Sequence, residues 1–336
     1  MFLEGGLIMK DKKGGEYKVV LQQEMTAGDD QWIDISFHSQ LRLIRKMAVS
    51  EVNNIDDDVD PIEVERIVAK IDLENNPKLV NILLSDRSTG GNIRWATDNY
   101  VERNGGRFDE AAQVLPELII GENSDIIVPR AMKDADVRKS RTQKNAEVFT
   151  PSWIVDKQVS AVLDDFEDLS FDEFMATTWL EITCGEAPYM ANRYDMETGV
   201  IIDLNDRKGF IDRKFQRLND EVSSENNLRW WKYAQEIYKS SYGYEYQGDS
   251  LLLARMNLLL TFVDNYIEVF NKEPSKHMLW RIAEIISWNV FQMDGLEYTV
   301  PYAMLNDVDV NARMMNWVDE TELDFKELLE RDGGNE

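Results

Sequence analysis

The residues best suited to chemistry lie in Tyr242-Gly-Tyr-Glu-Tyr-Gln-Gly-Asp-Ser-Leu-Leu-Leu-Ala-Arg-Met-Asn-Leu-Leu-Leu-Thr-Phe262, where an acidic, glycine-bearing turn leads into a long apolar run. Tyr242 to Tyr246 predicts a short strand that presents Glu245 at its end, and Leu251 to Phe262 predicts a helix packed behind it. A carboxylate there can accept two hydrogen bonds from vicinal ribose hydroxyls, as open α/β sheets hold nucleoside ligands at the C-terminal ends of their strands. The plain alternative is a solvated acid at a strand end. Asp249 reads as the N-terminal cap of a helix starting at Ser250.

A second turn sits upstream in Thr178-Trp-Leu-Glu-Ile-Thr-Cys-Gly-Glu-Ala-Pro-Tyr189. Trp179, Leu180 and Ile182 suit a buried parallel strand, Gly185 permits close backbone approach, and Ala187 keeps the turn narrow. Cys184 is the single cysteine of the chain, which excludes an intrachain disulfide and makes it a small buried hydrophobe.

Taken together, these two motifs resemble those of the gamma-ordered N6-adenine DNA methyltransferases of restriction-modification systems, including their modification subunits. The threonine-proline motif that precedes the fold in that family has its counterpart in Asn145-Ala-Glu-Val-Phe-Thr-Pro-Ser-Trp-Ile-Val155. The glycine-rich motif is matched by Glu181, Cys184, Gly185 and Ala187, the ribose acid by Glu245, and the following Ala254-Arg-Met-Asn-Leu258 is close to the family wording. The next family acid falls on Asp294, in Asn289-Val-Phe-Gln-Met-Asp-Gly-Leu296. The resemblance implies an S-adenosylmethionine cofactor held by Thr150, Pro151, Glu181, Cys184, Gly185, Ala187, Glu245 and Asp294. In this reading the Gly185 turn lies against the methionine part and Glu181 engages its ammonium or an ordered water. Double-stranded DNA is the implied substrate, with a specificity or restriction subunit as a further partner.

Two departures stand out. Ala187 replaces a second glycine usual in the turn, with Pro188 next to it, and the catalytic Asn/Asp-Pro-Pro-Tyr/Phe tetrapeptide is missing, since the chain has no Pro-Pro pair. In relatives that tetrapeptide accepts from the target amino group and stacks on the flipped adenine. Asn316 and Trp317 offer an amide beside an aromatic ring at a plausible interval after Asp294; the alternative is a core tryptophan with a polar neighbour. The expected function is S-adenosylmethionine-dependent DNA adenine-N6 methylation, alone or as a modification subunit. The alternatives are a catalytically inactive cofactor-binding or DNA-recognition subunit and an acidic antirestriction or nucleic-acid mimic.

Charge narrows the choice of contacts. With 63 acidic against 37 basic residues the net charge is -26, which argues against nonspecific binding to a polyanion through the whole surface. Local basic tracks remain: Arg130, Lys133, Arg138, Lys139, Arg141 and Lys144 form one, and Arg207, Lys208, Arg213, Lys214 and Arg217 another. Each can contact phosphates or serve as a solvated segment or flap. His38 and His277 are the only histidines, and no compact acidic triad with a suitably spaced lysine points to a metal-dependent nuclease. No apolar run reaches eighteen residues, and the N-terminus does not read as a secretory leader, so the expected compartment is the cytoplasm.

These residues need a scaffold, and the pattern predicts an α/β fold: a mostly parallel-sheet methyltransferase-like domain over 145–336, interrupted by an insertion at about 193–220, after a helical or mixed accessory domain over 1–144. In the accessory part, Tyr17 to Leu21 predicts an edge strand. Trp32 to Val49 and Pro61 to Leu73 predict helices on either side of the acidic turn Asp56 to Asp60. Asn92 to Tyr100 is either a recognition loop or a segment anchored by Trp95. In the insertion, Glu197-Thr-Gly199 predicts a hairpin turn and Lys208-Gly209 a bend, and an aromatic helix begins at Trp230 and Trp231.

Overall fold

A computed structural model describes residues 7–10, 16–20, 76–101, 105–133, 135–145, 150–166 and 168–333. The helices expected over Trp32 to Val49 and Pro61 to Leu73, the turn between them and His38 lie outside the described residues.

The architecture is α/β. Five strands form one sheet in the order β1 (Leu7–Lys10), β2 (Glu16–Val20), β3 (Thr178–Glu181), β4 (Ser241–Glu245), β5 (Val290–Gln292). The β1–β2 pair is antiparallel, and the pairs β2–β3, β3–β4 and β4–β5 are parallel. The strand expected near Tyr17 is therefore not at the edge: β2 is paired on both sides. Every residue of β4 and of the terminal strand β5 is buried, as parallel strands covered on both faces require.

Parallel neighbours need long crossovers, and helices supply them. Helix α1 (Pro77–Leu84), α2 (Ala135–Asn145), α3 (Ser152–Leu163) and α4 (Phe171–Ala176) precede β3. Helices α5 (Phe210–Glu221) and α6 (Asn227–Lys239) link β3 to β4, and α7 (Gly248–Phe270) and α8 (Lys276–Asn289) link β4 to β5. Alternation along β4 and β5 divides the core. Tyr242, Tyr244, Phe291 and Met293 meet Val300, Ala303, Ala312, Met314 and Phe325 on one face. Those partners come from two hairpins, β6 (Thr299–Leu305) with β7 (Val308–Asn311) and β8 (Arg313–Asn316) with β9 (Thr321–Asp324), and from α9 (Phe325–Gly333). The other face carries the helical layer, whose core also takes in Leu83, Ile93, Trp95 and Phe108 from before residue 145.

Helix α7 is the spine of that layer. Its apolar run buries Leu251, Leu252, Leu253, Leu258, Leu259 and Phe262, and Asn271 closes it in the left-handed region at φ 50°. The helix starts at Gly248, earlier than the sequence suggested, which moves Asp249 from the cap into the first turn. No described helix is long and apolar enough to cross a membrane. In the insertion, Tyr194 and Ile201 form an antiparallel bridge around the turn at Gly199, whose φ is 73°.

Arg255 of α7 is fully buried and spends its guanidinium on main-chain carbonyls: Val290 (2.8 Å), Leu83 (2.6 Å), Ser85 (2.9 Å) and Ser287 (3.3 Å). It thereby joins α1, α8 and the start of β5, and burial draws its pKa down to about 9. Arg255→Leu is expected to destabilise the protein by about 3 to 5 kcal/mol because it strands these acceptors. Arg255→Lys should restore little, since one ammonium cannot span the fork. Urea unfolding of the variants checks both, and an unchanged midpoint for Arg255→Lys would contradict the bridging role.

Candidate functional site

The C-terminal ends of β3 and β4 bring the acids of the two motifs to one edge of the sheet. After β3 the chain turns through Thr183, Gly185 and Ala187 at φ 45°, 55° and 61°, a repeated left-handed geometry that lets main-chain N–H groups converge on acceptors. The Gly185 N–H donates to Glu245 Oε2 (2.9 Å), and the Cys184 N–H to the Tyr244 carbonyl (2.8 Å). Glu245 Oε1 accepts from the Gln247 N–H (3.1 Å), so this one carboxylate joins the turn after β3 to the entrance of α7.

Glu181 faces the segment beyond the turn, accepting from the N–H groups of Met190 (2.9 Å) and Tyr189 (3.3 Å). Burial pushes its pKa up to about 8 in spite of these hydrogen bonds, and the nearby charge of Glu245 adds to the effect. The Tyr189 hydroxyl bonds Gln158 Oε1 and reaches Thr150 Oγ1 at 3.5 Å, while Pro151 caps α3. Thr150, Glu181, Cys184, Gly185, Ala187 and Glu245 thus belong to one connected group. Burial drives the Cys184 thiol pKa well above its ordinary value, which suits a small buried hydrophobe and not a reactive thiol. Glu186, which the sequence reading passed over, is fully buried within the same turn; it accepts from the Arg130 N–H (2.7 Å) and from the Tyr194 hydroxyl. Its position between Gly185 and Ala187 was a visible signal.

The segment before residue 145 roofs this edge. The Gly248 N–H donates to the Trp95 carbonyl (2.9 Å), and a Cβ on Gly248 would come within 2.0 Å of the Arg94 carbonyl oxygen, so only glycine permits this crossing. The Gln292 side chain brackets Arg94, accepting from its N–H (2.7 Å) and donating to its carbonyl (2.8 Å). Trp95 is fully buried against Tyr100 and Phe108, which makes Asn92 to Tyr100 a core-anchored cover, the second of the two expectations for it. Asp249 accepts from Tyr100 Oη (2.7 Å), Lys133 Nζ (2.8 Å) and Arg141 Nη1 (2.8 Å). Burial opposes its ionisation, but the charges of Arg141 and Lys133 outweigh that and hold the carboxyl well below the usual range.

Asp294 stays at this edge, one residue after Met293, whose N–H donates to the Glu245 carbonyl (3.1 Å), whereas Asn316 and Trp317 fall elsewhere. Asp294 lies just beyond β5, where its Oδ1 accepts from the Leu296 (2.8 Å) and Glu297 (3.2 Å) N–H groups and closes a turn. Asn316 and Trp317 are not brought to the Glu245 edge. Trp317 Nε1 donates to Asn289 Oδ1 (2.7 Å), and Asn289 Nδ2 donates to the Ser241 carbonyl (3.2 Å), so the pair sits at the N-terminal ends of β4 and β5. Asn316 Oδ1 accepts from the Val318 N–H (3.0 Å). The cause is the direction of β8, which crosses the sheet face from Ala312 toward Asn289 and carries these residues away from the acids.

Part of each basic track is consumed inside the protein. Lys133 and Arg141 are buried on Asp249; Arg207 is buried on Asp264 (2.6 Å), and Lys214 on the carbonyls of Met175 (2.8 Å) and Thr177 (2.7 Å). Arg213 pairs with Asp156 and Arg217 with Glu221. Charge pattern alone could not separate these buried partners from a solvated track.

Beside Glu245, the Tyr246 ring lies 6.5 Å from that of Tyr302, whose hydroxyl donates to Glu110 Oε2 (2.8 Å). Tyr246 was visible as an aromatic following the acid, whereas Tyr302 arrives from a hairpin that no local motif announces. Neither a family model, nor a curated protein, nor a solved structure matches the chain.

The raised pKa of Glu181 sets a pH dependence. The folded protein retains a proton that the unfolded chain releases near the ordinary value of 4.5, so stability is fully present below about pH 4.5 and declines as pH rises toward about 8. Glu181→Gln should flatten this decline. Urea midpoints of both proteins between pH 5 and 9 give the comparison, and parallel curves would refute the assignment.

Proposed function

We propose that this chain binds S-adenosylmethionine at the ends of β3 and β4 and acts as a modification-type subunit in methylation of adenine in double-stranded DNA. The observation that carries the reading is the Gly185 N–H bond to Glu245 at 2.9 Å, which joins the two motifs of the methyltransferase resemblance at one sheet edge. The residues suit the ligand: a carboxylate at a strand end for ribose hydroxyls, a tight turn at Gly185 and Ala187 for close approach, and the Glu181 carboxyl for an ammonium, whose charge would favour the ionised over the protonated acid. The bound cofactor supplies an electrophilic methyl group. The chain's own residues bind and orient it: Glu245 steadies the turn and faces the sugar, while Thr150, through Tyr189, fixes the segment that caps Glu181.

The placement of Asn316 and Trp317 favours a subunit that depends on another polypeptide for handling the target base. A displacement aligned to about 3 to 3.5 Å gains chiefly from positioning, and an amide and ring at the far edge of the sheet cannot supply it. A specificity or restriction subunit with a basic surface would provide the DNA contact.

Isothermal titration with S-adenosylmethionine tests the reading. Glu245→Ala should weaken binding about 10- to 100-fold, as expected for loss of charge-assisted hydrogen bonds. Gly185→Val should abolish it, while Asn316→Ala and Trp317→Ala stay within about twofold of wild type. Far-UV circular dichroism of each variant separates lost binding from lost fold. Absence of wild-type binding would overturn the cofactor reading, and methyl transfer to mixed-sequence DNA by the chain alone would overturn the dependence on a partner.

A further inference from the structure

Tyr302 is an unusual residue for its place. It is a bulky side chain at φ 56°, a left-handed conformation that is costly and persists only where the surroundings enforce it. It is nevertheless 46% exposed, so burial of the ring does not account for the conformation. Two contacts fix it: the hydroxyl on Glu110 (2.8 Å) and the edge-on Tyr246 ring at 6.5 Å and 68°. The anchor is itself held, because the Glu110 carbonyl accepts from the Ala96 N–H (2.9 Å) in the segment that roofs the sheet edge. The pairing of β6 with β7 also shifts register between Thr299 and Met304, the stretch containing Tyr302, and such irregularities re-aim a side chain. Strain, exposure and fixation coincide on one aromatic ring, beside the residue that follows Glu245.

A second observation lies two residues beyond that acid. The Gln247 side chain is buried, and its oxygen has no hydrogen-bond partner in the protein. A buried amide oxygen left unpaired is costly, so its surroundings call for a donor. The amino edge of a purine is such a donor, and the exposed face of a fixed tyrosine is the complementary surface for the ring.

We propose that Tyr302, steadied by Glu110 and Tyr246, is a stacking platform for a purine ring at the C-terminal end of β4, with the Gln247 side-chain oxygen accepting from the amino edge. This rests on the nucleoside-binding reading of Glu245. The ring can be the adenine of the cofactor or a base of the nucleic acid, and the two sources separate by experiment.

Titration with S-adenosylmethionine and with a single-stranded oligonucleotide carrying 2-aminopurine is compared for wild type, Tyr302→Ala, Tyr302→Phe, Gln247→Leu and Glu245→Ala. If the cofactor supplies the purine, Tyr302→Ala weakens S-adenosylmethionine binding about tenfold, in the range of base–aromatic stacking, and Tyr302→Phe stays within about twofold. If the nucleic acid supplies it, the cofactor affinity of Tyr302→Ala is unchanged; the wild type then quenches 2-aminopurine fluorescence and Tyr302→Ala does not. In both cases Gln247→Leu weakens the same ligand. Urea unfolding of Tyr302→Ala and Tyr302→Phe identifies any loss that stems from folding, and recovery in the phenylalanine variant marks the ring as the cause. Indifference of both ligands to Tyr302→Ala, while Glu245→Ala loses the cofactor, would reject the platform and leave the cofactor reading standing. A wild type that binds neither probe rejects both.

Discussion

The buried carboxylate of Asp249 governs how the rest of the structure assembles. Lys133, Arg141 and Tyr100, all from before residue 145, converge on it in the first turn of α7. Two cations out of water are costly unless their partner is well placed, and desolvation of ions amounts to several kcal/mol each. Asp249 meets that condition with bonds of 2.8 Å to both, and the positive end of the helix dipole favours its charge. Since α7 begins three residues after Glu245, whatever fixes its first turn also fixes the strand end that Glu245 occupies. The roof over the sheet and the acid beneath it are therefore set by one electrostatic contact.

The same use of charge changes how the acidity of the chain should be understood. Among the described residues Lys133, Arg141, Arg193, Arg207, Lys214 and Arg255 are buried, and their partners are internal carboxylates or carbonyls. These six, out of 37 basic residues in all, are unavailable to phosphates. Buried acids such as Glu181, Glu186, Asp249 and Asp264 offset them, so the surplus of acids facing solvent stems from the composition itself, 63 acidic against 37 basic residues, and long-range attraction to a polyanion needs a compensating basic surface. On the proposed reading that surface belongs to a partner, which fits a subunit better than a free-standing enzyme.

Much of the scaffold was legible in the sequence because periodicity reports burial. The apolar run of α7, the aromatic strand β4 and the turn after Glu181 follow from side-chain pattern. What was not legible depends on distant pairing. A basic cluster reads the same whether its charges meet water or a buried aspartate, so the roles of Lys133, Arg141, Arg207 and Lys214 emerged only in three dimensions. Asp249 looked like a cap because the true helix start at Gly248 is set by its contact with Trp95, 153 residues away along the chain. The far position of Trp317 follows from the path of β8 across the sheet, which spacing after Asp294 does not encode.

Backbone strain offers an independent view of the edge where the motif acids meet. Nine non-glycine residues among those described have left-handed backbones: Ala96, Thr183, Ala187, Asn271, Tyr298, Tyr302, Asn306, Asp307 and Glu320. Asn271 ends α7, Asn306 and Asp307 turn the β6–β7 hairpin, and Glu320 turns β8 into β9, which are places where such conformations serve local geometry. The remaining residues cluster differently. Thr183 and Ala187 shape the turn around Gly185, Ala96 lies in the roof, and Tyr298 and Tyr302 flank the same edge beyond β5. Each costs of order 1 kcal/mol or more; Tyr298 belongs to the turn that Asp294 closes, and the others lie at no helix end or tight hairpin. Strain of this kind survives only where packing over-determines the chain, and the buried contacts of Asp249, Glu186 and Gln292 supply that constraint here. The edge that holds Glu181 and Glu245 is thus also the edge at which the fold tolerates its least comfortable backbone, as expected of a surface shaped for a ligand.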